Sequence, residues 1–169
     1  MGTIIANEII NAFPKLPYEE IVYMAAASSI QDFQDSVMPV LQNDKSIKFY
    51  NLSLDPNAEA REYTLGGFGP TGSLLEWIDS YYTDPSTVLD MTMGKWQNIS
   101  IAKHTFPQDV RKQMTFKVFS FDKETQPIKH GEMHDTNRCW WQPEYWNQTS
   151  DVNHKLYSKE SCPAYNFTR

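Results

Sequence analysis

The sequence has no apolar run long enough to cross a bilayer. Its longest, Ile21 to Ala27, falls far short of the roughly 20 residues a spanning helix needs. It has no basic cluster: the 15 Lys and Arg residues are scattered and outnumbered by 21 Asp and Glu, giving a formal charge of −6. A mildly acidic chain gains nothing by approaching a phosphate backbone, so neither nucleic acid nor membrane is expected as a partner. Cysteine is scarce. Cys139 and Cys162 are too few for a disulfide framework, and two free thiols or a single disulfide both stay open. The opening residues lack a signal-peptide pattern, with no basic start and Asn7-Glu8 interrupting the apolar stretch. Ala6 stands where a myristoylation motif wants Ser or Thr. These absences lean toward a cytoplasmic protein without fixing the compartment.

What is present suits a globular domain. The 169 residues are 40% hydrophobic and 14% aromatic, enough for one domain with its own core. Helical spacing of Ile5, Ile9, Ala12 and Phe13 predicts a helix over 3–13 packed on a sheet, stopped by Pro14 and Pro17. Residues 20–27 are nearly all apolar, as in a parallel strand covered on both faces. A helix over 31–42 and a strand over 46–54 follow, the latter ending at Asp55-Pro56. The stretch 56–113 has no strand character. Gly66 to Pro70 reads as a loop, and Ser73 with Glu76 has the spacing of a capping box opening a helix through Tyr82. Residues 114–121 alternate cleanly and predict a third strand; a tail rich in tryptophan (Trp140, Trp141, Trp146) comes later. Strands separated by helices imply an α/β fold with a parallel sheet. Ligands of such sheets sit at the C-terminal strand ends, where Asp55 and His130 both fall. Four Asn-x-Ser/Thr sequons occur, at Asn51, Asn98, Asn147 and Asn166. Asn51 lies within a strand expected to be buried, so that sequon reads as coincidence.

Several segments resemble a group of α/β-hydrolases of uncharacterised substrate: Ile21-Val-Tyr-Met-Ala-Ala-Ala27, Phe49-Tyr-Asn-Leu52, Gly72-Ser-Leu-Leu-Glu-Trp-Ile-Asp79, Met93-Gly-Lys-Trp96 and His130-Gly131. In that superfamily a Gly-x-Ser-x-Gly elbow carries the nucleophile, an acid follows a later strand and a histidine follows the last. Met1-Gly2-Thr3-Ile4-Ile5-Ala6 looks like the end of the elbow running into its helix. The resemblance covers most of 1–146. It implies a partial α/β-hydrolase sheet of three parallel strands with a cap-like insertion over 57–113; residues 147–169 form a tail of unknown role.

The resemblance also implies roles. His130 would shuttle the proton and Asp55 would orient the imidazole, with Glu59 and Glu62 as nearby substitutes; the amide of Met1 would be one oxyanion donor. The Gly-x-Ser half of the elbow is absent. The expected function is therefore that of a serine-hydrolase fragment, inactive as it stands, whose parent cleaves an ester, amide or related bond in a small molecule. A non-enzymatic α/β interaction module is the rival reading. No cofactor is expected. His130, His134 and Cys139 sketch a zinc site, but Gly131 suits a helix poorly and the spacing follows no familiar pattern, so no metal is expected either. The apolar first strand, if unpaired, would leave a sheet edge open to self-association.

Overall fold

The computed structural model describes residues 2–62, 71–119, 127 and 129–134. Helix α1 (Gly2–Ala12) leads to strand β1 (Glu20–Met24), helix α2 (Ile30–Asn43) and strand β2 (Lys48–Ser53). A helical stretch follows: α3 (Pro56–Arg61), α4 (Leu74–Trp77) continuing into a π-turn over Ile78–Tyr82, a 3-10 turn over Val88–Asp90, α5 (Trp96–Ala102) and α6 (Gln108–Arg111). Strand β3 (Met114–Val118) and a 3-10 turn over His130–His134 complete the described elements.

The strands pair in the order β1-β2-β3, all parallel, with Ile21 beside Phe49 and Phe49 beside Met114. This is a partial α/β fold, as the alternation of apolar runs and helical spacing predicts. Central β2 is buried along nearly its whole length, because helices cover both faces of the sheet. On one face Ile21, Tyr23, Phe49 and Met114 join Ile30, Phe33, Val37 and Leu41 of α2, Ile99 of α5 and Val110 of α6. Phe33 stands at its centre, with ring centroids 4.8 Å from Phe49, 5.4 Å from Phe106 and 6.4 Å from Tyr23. On the other face Tyr50, Leu52, Leu54 and Phe119 meet Ala58, Leu75 and Met133. The second half of the 57–113 stretch thus belongs to the layer that covers the sheet.

Local chemistry explains where the elements stop. Helix α2 opens with a reciprocal capping box: the Asp32 amide donates to Ser29 Oγ and the Ser29 amide to Asp32 Oδ2. Strand β1 ends earlier than the apolar run suggests, because Ala25 adopts φ 42° and turns the chain. The expected box at Ser73 and Glu76 is only half formed. Ser73 Oγ accepts from the Leu75 and Glu76 amides, but the Ser73 amide bonds the Glu59 carbonyl and the Glu76 carboxylate turns to Lys95. The apolar face expected to seat α1 also needs correction. Asn7 and Ile10 are the buried residues of this helix, Asn7 Oδ1 accepting from the Tyr23 hydroxyl, while Ile5, Ile9 and Phe13 face outward. The loop Gly66 to Pro70, the tryptophan-rich tail and both cysteines lie outside the described residues.

Candidate functional site

Three chain segments converge at the C-terminal edge of the sheet: the turn after β1, α3 after β2, and the His130–His134 turn after β3. The turn after β1 is held from the side by residues 92–94. The Gly94 amide donates to the Ala26 carbonyl at 2.9 Å and the Met93 amide to the Ser28 carbonyl at 2.9 Å. Ser29 and Thr92 form an antiparallel bridge. A Cβ on residue 94 would sit 2.2 Å from the Ala26 nitrogen, so glycine is required by this close approach.

Behind Gly94, the buried Lys95 places its ammonium 2.9 Å from Oε2 of the half-buried Glu76 and 3.4 Å from Oδ2 of the buried Asp79. Asp79 also accepts from the Thr92 amide at 2.8 Å and from Asn98 Nδ2 at 2.7 Å. Asn98 Nδ2 reaches the Thr92 carbonyl as well. This arrangement is well supplied with donors, as a buried carboxylate requires. It fixes the π-turn, the 92–95 segment and α5 to one another.

Glu59 stands close by and is fully buried. Neither of its carboxyl oxygens has a hydrogen-bond partner of good geometry among the described residues, the Ser73 hydroxyl being near enough to act on it without making one. Loss of hydration pushes its pKa up from 4.5 to about 7; the Ser73 hydroxyl and Lys95 lower it, and the charges of Glu62 and Glu76 raise it further. Such a carboxyl can give or take a proton at neutral pH. Ala60 of α3, Gly72, Glu76 and Trp77 of α4, and Ser80 and Tyr81 of the π-turn line an open pocket of about 210 Å³.

The expected site residues are placed as follows. His130 lies half-buried, and its amide donates to Glu62 Oε2 at 2.8 Å, a contact that ties the end of β3 to the segment after β2. Met133, one turn on, is buried against the sheet and seats this turn. Asp55 is the N-cap of α3, its Oδ1 accepting from the Asn57 amide at 2.7 Å and from Asn57 Nδ2 at 3.0 Å. The structure therefore brings His130 together with Glu62 and gives Asp55 Oδ1 a capping role. Met1, Cys139 and the side chain of His134 lie outside the described residues. Among the described residues no group of three or more His, Cys, Asp or Glu side chains is arranged to hold a metal. No described helix is long and apolar enough to cross a membrane.

No family model, curated protein or solved structure matches this chain. The site must be read from its own residues. Sequence reasoning missed Lys95, Asp79 and Asn98, which organise this edge. Asp79 and Lys95 fall in the segments Gly72–Asp79 and Met93–Trp96 and Asn98 in a sequon, but no spacing in the sequence marks them as partners.

Proposed function

We propose that the C-terminal edge of the sheet is an acid–base site of the α/β-hydrolase type, with His130 as the proton-carrying group. The observation that carries this reading is the contact of the His130 main-chain amide with Glu62, which joins the turn that follows β3 to the segment that follows β2 and α3. Two features support it: the acids follow β2 and the histidine follows β3, in the chain order the hydrolase constellation uses. Glu62 and Asp55 both stay candidates for the orienting acid: Glu62 Oε2 accepts from the His130 main-chain amide, and Asp55 Oδ1 accepts from Asn57. The sequence contains no Gly-x-Ser elbow, so the serine nucleophile of such a reaction is not supplied by a recognisable motif in these 169 residues. Without it, a triad keeps only binding and oxyanion contributions.

Diethyl pyrocarbonate modification tests this reading, with the exposed His104 as an internal control. His130 is expected to react at a rate distinct from His104 and to change at least threefold on Glu62→Gln. Equal rates at the two histidines, unmoved by Glu62→Gln, would overturn it. The chain is also expected to resist fluorophosphonate labelling. A labelled serine that is lost in His130→Ala would show a nucleophile within the chain. A second reading, a non-enzymatic interaction module, is favoured by one specific feature: β1 has no neighbour on its outer side among the described residues.

A further inference from the structure

We infer that the open edge of β1, with the apolar stripe of α1 beside it, is a two-fold interface with a second copy of this chain. The direction of the backbone groups follows from the bonds β1 makes. The Glu19 carbonyl accepts from the Lys48 amide at 3.1 Å, and the Ala25 amide donates to the Leu52 carbonyl at 2.9 Å. A residue in a parallel pair turns its N–H and C=O toward the same neighbour, so residues 19, 21, 23 and 25 face β2. The amides and carbonyls of Glu20, Val22 and Met24 then point to the other side, where no strand lies among the described residues. Among the described residues this edge carries one charge, Glu20, at its start. Glu20–Met24 contains no lysine, no proline and no bulge, the usual means by which an edge strand is kept from pairing.

The adjoining surface is apolar and continuous with the edge. Ile5 and Ile9 of α1 and Phe13 just past its end stand four residues apart in one stripe and are 57%, 46% and 58% exposed. A groove of about 280 Å³ runs between α1 and β1, with Ile9 and Val22 both in its walls. At about 200 Å² for each large side chain, these three leave roughly 300 Å² uncovered, at the lower end of the range where a single apolar patch on a monomer has a purpose. That is somewhat over a third of the roughly 800 Å² per partner that a stable interface buries, and the groove walls and strand edge supply more.

The occupant that fits is the chain itself, because the edge is complementary to its own reverse. Placed antiparallel about a two-fold axis at Val22, Val22 opposes Val22 and Glu20 opposes Met24 of the other copy. Each outward N–H then meets an outward C=O. No carboxylate faces another, and the Glu20 carboxylate already accepts from the Tyr50 hydroxyl at 3.2 Å. The axis runs perpendicular to the sheet, so both α1 helices lie on the same face and their stripes meet across it. This closes the assembly at two copies.

Sedimentation of the full chain between about 1 and 100 µM tests the proposal. A reversible dimer is expected. Ile9→Lys, at an exposed helix position, is expected to weaken it at least tenfold. Val22→Pro removes an outward amide and no bond to β2, and is expected to do the same. Should Val22→Pro fail to fold by circular dichroism, Ile9→Lys decides alone. A monomer throughout the range, a dimer unchanged by Ile9→Lys, or open-ended larger species would each overturn the proposal. In the monomer case, hydrogen exchange at Val22 and Met24 tells whether another segment of the same chain covers the edge or leaves it bare.

Discussion

A protein with Glu59 replaced by glutamine is expected to gain on the wild type in stability progressively as pH rises from 4.5 to about 7. The folded chain holds this carboxyl fully buried, with no hydrogen bond of good geometry among the described residues. Its pKa rises from 4.5 to about 7, chiefly through lost hydration. Between those values the folded state holds a proton that the unfolded state has released, so stability falls as pH rises through that window. At about 1.4 kcal/mol for each pH unit the full loss is about 3 kcal/mol, complete above pH 7 and absent below pH 4.5. Glutamine carries no charge and removes the dependence. The carboxamide also brings a buried donor that needs a partner, an offset of about 1–3 kcal/mol that does not vary with pH. The decisive readout is therefore the pH slope of the difference. Urea unfolding of both proteins at pH 4.5, 6, 7 and 8.5 should show Glu59→Gln gaining about 3 kcal/mol on the wild type across the series, or roughly 6–12 °C in Tm for a domain of this size. A constant difference across the series would refute the reasoning and mean that Glu59 is charged or solvated in the folded chain.

Two further substitutions probe the same edge of the sheet. Gly94→Ala places a Cβ 2.2 Å from the Ala26 nitrogen, and a loss of about 3 kcal/mol or more is expected in urea unfolding; wild-type stability would show that the turn after β1 can move aside. Lys95→Met leaves Glu76 and Asp79 without their cation, and a loss of about 3 kcal/mol is expected, partly recovered by adding Glu76→Gln; a neutral outcome would mean the ammonium is dispensable there.

The sheet was largely legible because its signals are local. The apolar run from Ile21 and the alternation around Phe49 and Phe116 each report a strand buried on one or two faces, and intervening helices make parallel pairing the expected arrangement. What periodicity cannot report is which side of a helix faces inward when a polar contact sets its rotation. Helix α1 turns Asn7 into the sheet to accept from the Tyr23 hydroxyl, and three residues on Ile10 follows it; the isoleucines that dominate the pattern are left outside. The end of β1 was equally hidden, because the φ of Ala25 answers to Gly94, far away in sequence. The candidate site was readable as positions after strand ends, which gave His130 and the acids around Asp55, Glu59 and Glu62. It was not readable as partnerships. That Glu76 leaves its own helix cap for Lys95, and that Glu62 reaches the backbone of His130, depend on a packing no short motif encodes.

The two sequons within the described residues acquire a meaning from the hydrogen bonds around them. A glycan is attached to asparagine through Nδ2, and in this fold that atom is already engaged at both. Asn51 Nδ2 donates to the Met93 carbonyl at 3.0 Å and Asn98 Nδ2 to Asp79 at 2.7 Å, and both residues are buried. A sugar on Asn98 would take the place of a proton that a buried carboxylate depends on, and one on Asn51 would have to pass through the helical layer above the sheet. Modification and folding are thus mutually exclusive at these positions. In any host that carries the glycosylating machinery, the yield of native protein becomes a race between the transferase and the closing of the sheet, and Asn98→Gln alone would not be a silent way to win it.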